Sequence, residues 1–259
     1  MTATRRTPPG YVRLSTGSVE GVALATLAPA LARALAEGSF YAWAEHHPEA
    51  RALAGRGIAW AVPLPDGETR VVVRRSRHGG LLAPVRGDRF IGRTRAPREL
   101  DVALRLARAG VPTPELVAYA TYRAGSLTRR ADVVTREIAG ARDLAATIEA
   151  LGGDDLRPVL RAVAALLAAL TAAGARHPDL NLKNILIAPD VNGEPEAFVI
   201  DVDRVWFDSP GAPRVAERNM RRLARSARKL RRTRDLPVHE TDLLWLAATA
   251  GELTAASPA

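Results

Sequence analysis

HPDLNLKNILI, residues 177–187, sets His177, Asp179 and Asn184 in the order H-x-D-x-x-x-x-N, immediately before an apolar run. In isolation the pattern also describes polar residues in a turn, where Asp and Asn are common. The downstream residues narrow the reading. ILIAP, the turn DVNGEP and then AFVIDVD bring Asp201 back 17 residues after Asn184, as two short strands joined by a turn would. Phosphoryl transfer needs such a set: a carboxylate beside the acceptor hydroxyl, oxygen ligands for a metal, and a cation and a close backbone loop for the nucleotide phosphates. Asp179 suits the base, and Asn184 and Asp201 suit the metal. His177 suits ordering of the loop backbone better than proton transfer. Lys183 has two readings, a solvated loop residue or a charge that reaches the transferred phosphate.

Upstream, IAWAV and RVVVR flank the turn PDG at 65–67, which predicts a β-hairpin. Arg74 ends VVV, and strand alternation turns Arg75 to the other face. The chain has only two lysines, Lys183 and Lys229, so no lysine can serve on this strand. Arg74 takes that position, where it can pair with Glu99 on a helix expected over 93–110 and hold phosphate. A guanidinium is larger and planar, so it is no simple copy of an ammonium. A solvated strand end is the plainer reading of Arg74. Gly55 and Gly57, ahead of the hairpin, would let backbone approach phosphate, although a turn there needs glycine in any case.

Residues 1–20 read as a loose start and 21–53 as helical, with Leu24, Leu27, Leu31 and Leu35 at helical spacing. Strands are expected at 116–122 and 131–138. A helix of about 20 residues is expected from Asp154, capped by Asp154 or Asp155 and closed by Gly174. A basic helix is expected over 214–234. The fold class is α+β: an N-terminal extension (1–53), a small antiparallel-sheet lobe (54–138) and a mainly helical lobe (139–259), with the pivot near Glu137–Gly140.

The 259 residues carry a net charge of +9, and 35 of the 37 cations are arginine (37 less the two lysines). Such a balance suits anionic partners. The absence of cysteine excludes disulfides, thiolate metal sites and a cysteine nucleophile. The longest nearly apolar stretch, 162–175, is too short to span a bilayer. Residues 22–32 imitate a signal peptide, but Glu20, Pro29 and Arg33 argue against one. The basic segments, 76–98 and the last helix, read either as solvated faces or as contacts for acidic groups. A nucleic-acid reading is not expected, because the helix lacks interleaved aromatics and no nucleic-acid motif is evident.

Taken together, VVVRRSRHGGLLAPVRGDRFIGRTRAPRELDVALRLARAGVPTPE, DVVTREIAGARDL, HPDLNLKNILI, FVIDVDR and NMRRLARSARKL resemble the lipopolysaccharide-core sugar kinases of the 3-deoxy-D-manno-octulosonic acid (Kdo) kinase type. The resemblance runs from about Gly55 to Leu230. It implies a protein-kinase-like two-lobed fold, ATP and Mg²⁺, with Asp179 as base and Asn184 and Asp201 on the metal. It implies Arg74 and Glu99 as phosphate anchor, consistent with small-lobe strands of that family that end in Arg. It implies a hinge at 134–138, with Glu137 and Ile138 meeting adenine. The implied acceptor is a Kdo hydroxyl on a lipid A precursor, phosphorylated in the cytoplasm with peripheral contact to the anionic inner membrane. The motif DVD, with Val202 and Asp203, departs from the Phe-Gly of protein kinases, so their activation switch is not implied; Asp203 can be a further ligand or a partner of Arg204. Two alternatives stay open: a soluble sugar or aminoglycoside phosphotransferase, and a nucleotide-binding pseudokinase. The HGGL segment and Arg-rich helix argue against the first; the intact Asp179, Asn184 and Asp201 argue against the second.

Overall fold

The structure, a computed structural model, describes residues 7–17, 19–53, 58–76, 88–92, 94–152 and 155–256. Gly55, Gly57, Arg77, His78, Arg86 and Arg93 lie outside the described residues. The chain divides into two compact units, Met1–Leu100 with Glu115–Glu137, and Asp101–Pro114 with Ile138–Ala259.

In the first unit, β1 (Tyr11–Thr16), β2 (Val19–Leu24), β3 (Arg51–Leu53), β4 (Ala59–Pro63), β5 (Arg70–Arg75), β6 (Phe90–Ile91), β7 (Leu116–Arg123) and β8 (Thr128–Arg136) form one antiparallel sheet. Its order is β1-β2-β7-β8-β5-β4-β3, with β6 also on β8. The β4–β5 hairpin is set by its turn: Asp66 Oδ1 accepts the amides of Glu68 and Thr69 at 3.1 and 3.0 Å, and Gly67 adopts φ +79°. That positive φ is nearly free for glycine alone. Helices α1 (Ala28–Ala36) and α2 (Phe40–His46) supply Leu31, Leu35, Phe40 and Trp43, all buried with Val62, Val71, Val73, Val117 and Val134. Ser39 caps α2, its hydroxyl accepting the Ala42 amide at 3.0 Å.

This unit corrects the sequence reading of its first 53 residues. Residues 11–24 are a hairpin added to the sheet edge, not a loose start running into a helix. Gly21 is needed there because a β-carbon would collide with the Tyr119 carbonyl on β7. The helical stretch breaks at Gly38, φ +126°, and ends in β3. Helix α3 (Ala96–Arg108) carries Glu99 in its first turn and continues past Leu100, where the units divide.

In the second unit, β9 (Arg142–Asp143) leads into α4 (Leu144–Leu151), whose cap is Asp143 accepting the Ala146 amide at 2.9 Å. Helix α5 (Arg157–Ala172) buries Val159, Leu160, Val163, Leu166, Leu167 and Leu170, the face its spacing predicts. Asp155 accepts the Arg157 amide at 3.0 Å, and Gly174 comes just after the helix with φ +66°. A β-carbon at Gly174 would collide with the Asp208 carbonyl, so the close turn requires glycine. Then come β10 (Ala175–Arg176), a 3-10 turn (Leu182–Asn184), β11 (Ile185–Pro189), β12 (Pro195–Val199), a second 3-10 turn (Val202–Arg204) and β13 (Trp206–Phe207). AFVIDVD is therefore a strand only to Val199. The basic helix α6 (Pro213–Arg234) is succeeded by α7 (Glu240–Ala256), which the sequence reading lacked. No helix among the described residues is long and apolar enough to cross a membrane.

Candidate active site

The 177–187 stretch leaves β10, crosses a loop and a 3-10 turn, and enters β11. His177 is 1% exposed, and both ring nitrogens are engaged. Its Nδ1 accepts the Asp179 amide at 3.2 Å, so the ring proton sits on Nε2, which donates to the Ile200 carbonyl at 3.1 Å. Burial pushes its pKa below the usual imidazole range, against the hydrogen bond to Ile200 and the charges of Asp201, Asp179 and Asp203. A neutral ring, buried and bonded at both nitrogens, positions the loop and is not placed to carry a proton to substrate.

The Asp179 carbonyl accepts two side-chain amides, Asn181 at 3.0 Å and Asn184 at 2.8 Å. With its amide, carbonyl and preceding histidine all held, Asp179 has a set backbone from which to present its half-buried carboxylate. Asn181 also caps the 3-10 turn by accepting the Lys183 amide at 3.0 Å. The Lys183 side chain is exposed.

Asp201 joins the same node through Ile200. The Ile200 amide donates to the Asn184 carbonyl at 3.0 Å, while its carbonyl takes the His177 ring. Asp201 then adopts φ +60°, ψ +46°. A non-glycine residue in this region costs on the order of 1 kcal/mol and, when held by its surroundings, points to function. The strained turn sends the exposed Asp201 carboxylate out of the strand path. With its nitrogen bonded to Asp179, Asn184 keeps its amide oxygen as the group open to a hard cation. One carboxylate and one amide oxygen, completed by phosphate and water, are the donors Mg²⁺ takes. Among the described residues there is no cluster of three or more His, Asp or Glu that would offer a different metal a fuller cage.

Two further residues, which the sequence reading did not single out, hold the node to α6. Buried Asn219 accepts the His177 amide at 3.0 Å and donates to the Ala175 carbonyl at 2.9 Å. Ser226 accepts the Leu182 amide at 3.3 Å. A signal for Asn219 was available: it sits in the stripe Val215, Asn219, Leu223, Ala227, a polar residue at an apolar position.

In the first unit, Arg74 forms an ion pair with Glu99, whose side chain is 4% exposed. Strand alternation places Arg75 on the other face, its guanidinium 4.0 Å over the Tyr41 ring. Glu137 holds Arg51 at 2.6 Å and Arg70 at 2.7 Å, and its amide donates to the Arg70 carbonyl at 3.0 Å. Its side chain is thus occupied in fixing the strand ends.

The chain superposes on a solved structure described as "WaaP in complex with acyl carrier protein" with a TM-score of 0.50 and 19% identity, over 86% of this chain and 96% of that one. This supports a protein-kinase-like fold. Residues 41–246 match the model of the lipopolysaccharide kinase (Kdo/WaaP) family. The chain is 37% identical to a 3-deoxy-D-manno-octulosonic acid kinase of Xanthomonas oryzae pv. oryzae over 184 residues, 70% of each chain. It is 28% identical to the enzyme of that name from Vibrio parahaemolyticus over 208 residues, 79% of this chain and 83% of that one. Fold and family define a kinase. The chain belongs to the lipopolysaccharide kinase (Kdo/WaaP) family, and is a sugar kinase of lipopolysaccharide biosynthesis.

Proposed function

We propose that the protein transfers the γ-phosphate of ATP to a Kdo hydroxyl on a lipid A precursor, at the cytoplasmic face of the inner membrane. The observation that carries this is the single backbone node that ties Asp179, Asn184 and Asp201 together through His177 and Ile200. Asp179 orients the sugar hydroxyl and takes its proton as the new O–P bond forms and ADP leaves. Asn184 and Asp201 would hold Mg²⁺, which when bound screens the phosphate charge that develops during transfer. Arg74, aimed by Glu99, anchors the nucleotide phosphates in place of a lysine, and the backbone at Glu137 and Ile138 meets adenine. The first unit then serves the nucleotide and the second carries the base and metal ligands.

A thermal-shift titration tests the nucleotide half. ATP should raise the melting temperature of the wild type more with Mg²⁺ than without it, and Asp201→Asn should lose that difference. A Mg²⁺ dependence untouched by Asp201→Asn and by Asn184→Ala would remove the metal assignment.

A further inference from the structure

Helix α6 presents a second chemistry beside the loop. A pocket of about 290 Å³ opens between this helix and the start of the 177–187 stretch. Arg176, Arg218, Arg221, Arg222 and Arg225 line it, and it reaches Pro178, the residue before Asp179. The four helical arginines fall at i, i+3, i+4 and i+7, the spacing of one helix face.

Three of these four lack the carboxylate partner that Arg214, Arg228 and Arg231 of the same helix have. Further along, Arg228 and Arg231 are neutralised by Glu240 of α7 at 2.8 and 2.9 Å. In the pocket, Arg221 has a loose exposed contact with Glu217 at 3.8 Å. Arg176, Arg218, Arg222 and Arg225 have no carboxylate within ion-pair reach among the described residues. Five guanidiniums around one concavity repel one another, a cost that a bound anion reverses. Arginine's planar fork is suited to carboxylate and phosphate oxygens. The concavity fits a discrete oxyanion better than the plane of a bilayer. The placement is also set rigidly: Asn219, on this helix, bonds the backbone at Ala175 and His177, and Ser226 bonds Leu182.

We infer that this arginine pocket is the acceptor-anion site: it grips an acidic group of the sugar acceptor, a carboxylate or a phosphate monoester, and thereby delivers the acceptor hydroxyl to Asp179. The inference rests on the proposed sugar-kinase function and adds to it the residues that make an acidic acceptor preferred over a neutral one.

The test has a binding arm without nucleotide and a kinetic arm. Free Kdo, Kdo methyl ester and inorganic phosphate are titrated by calorimetry against wild type, Arg218→Gln/Arg222→Gln and Arg222→Lys. Kdo should bind the wild type, the neutral ester about 10-fold or more weakly, and phosphate should compete. The double glutamine variant should lose about 10-fold or more in Kdo affinity, as expected for lost hydrogen bonds to a charged group, and Arg222→Lys less. In the kinetic arm the double variant should raise KM for Kdo-lipid A precursor by a similar factor and leave KM for ATP within about 2-fold. If phosphate binds and free Kdo does not, and removal of the lipid A phosphates raises KM to the variant's value, the oxyanion is the lipid phosphate and the site stands. Ester binding equal to that of the acid with no effect of phosphate, or unchanged acceptor affinity and KM in the double variant, overturns it. So does loss of binding to anionic phospholipid vesicles with KM unchanged, which would make the face a membrane contact. A wild type that transfers no phosphate sinks the proposed function, whereas transfer with indifferent arginines sinks only the pocket.

Discussion

Asn219→Ala separates positioning of the catalytic loop from chemistry. The side chain is 1% exposed and makes two hydrogen bonds, from the His177 amide and to the Ala175 carbonyl. Removing it strands one buried donor and one buried acceptor, each costing about 1–3 kcal/mol. Partial entry of water trims the sum to about 3 kcal/mol. For a domain of this size that is roughly a 6–12 °C fall in melting temperature. The released backbone is that of His177, whose ring holds the Asp179 amide and the Ile200 carbonyl, so Asp179 and Asp201 both lose their register. Misplacement of a reacting group by even about 1 Å can cost on the order of 10²-fold in rate, and kcat should fall at least about 10-fold. KM for ATP should rise by a smaller factor than kcat falls, because the Arg74 phosphate anchor belongs to the other unit and only the Asp201 metal ligand is disturbed. Urea denaturation and steady-state kinetics on the same preparation provide both numbers. A variant within about 0.5 kcal/mol of wild type, or one destabilised with kcat unchanged, would refute the role given to Asn219.

Arg74→Met should destabilise by about 3 kcal/mol, because it takes the Arg74 charge away from the buried Glu99 carboxylate, and should raise KM for ATP about 10-fold; Arg74→Lys should recover most of both in melting and kinetic assays. Lys183→Ala should lower kcat about 10-fold if its exposed amine reaches the transferred phosphate, and unchanged turnover would leave it as a solvated loop residue. Two buried groups give opposite pH trends. His177, its pKa lowered by burial, contributes stability that is full above the ordinary imidazole pKa and is lost as pH falls below it. Asp132 accepts the Tyr41 amide at 2.9 Å, and burial, despite that bond, raises its pKa to about 6 from 3.8. Its contribution is full below the lower value and is lost as pH rises through the upper one, a span of about 3 kcal/mol. Asp132→Asn should therefore gain stability relative to wild type between pH 4 and 7.5 in urea denaturation, and a flat difference would contradict the raised pKa.

Much of the second unit could be read from the chain because its signals are local. The apolar face of α5, the close turn at Gly174 and the hairpin around 190–193 each arise from residues near in sequence. The loop's Asp179 and Asn184 stood out as candidates once their spacing was read together with the apolar run and AFVIDVD that follow. The hairpin at 11–24 was not, because β1 buries only Leu14 of six residues and Gly21 is explained by β7, about a hundred residues away. Helix α7 buries only Leu243 and Leu246, and its apolar residues mark no clear face. At the site, the left-handed turn at Asp201 hides inside what reads as strand, since it follows Ile200, whose bonds to Asn184 and His177 come from elsewhere in the chain. Asn219 hides for the opposite reason: its arginine neighbours draw the eye to the charged face of α6, while it works from the buried one.

The central claim is that the His177–Ile200 node presents Asp179 as the base of a sugar kinase. Incubation with ATP, Mg²⁺ and Kdo-lipid A precursor, comparing wild type with Asp179→Ala, tests it most directly. The account predicts phosphorylated precursor from the wild type and at least about a 10²-fold lower rate from the variant. No transfer by the wild type, or transfer that survives in Asp179→Ala, would contradict it.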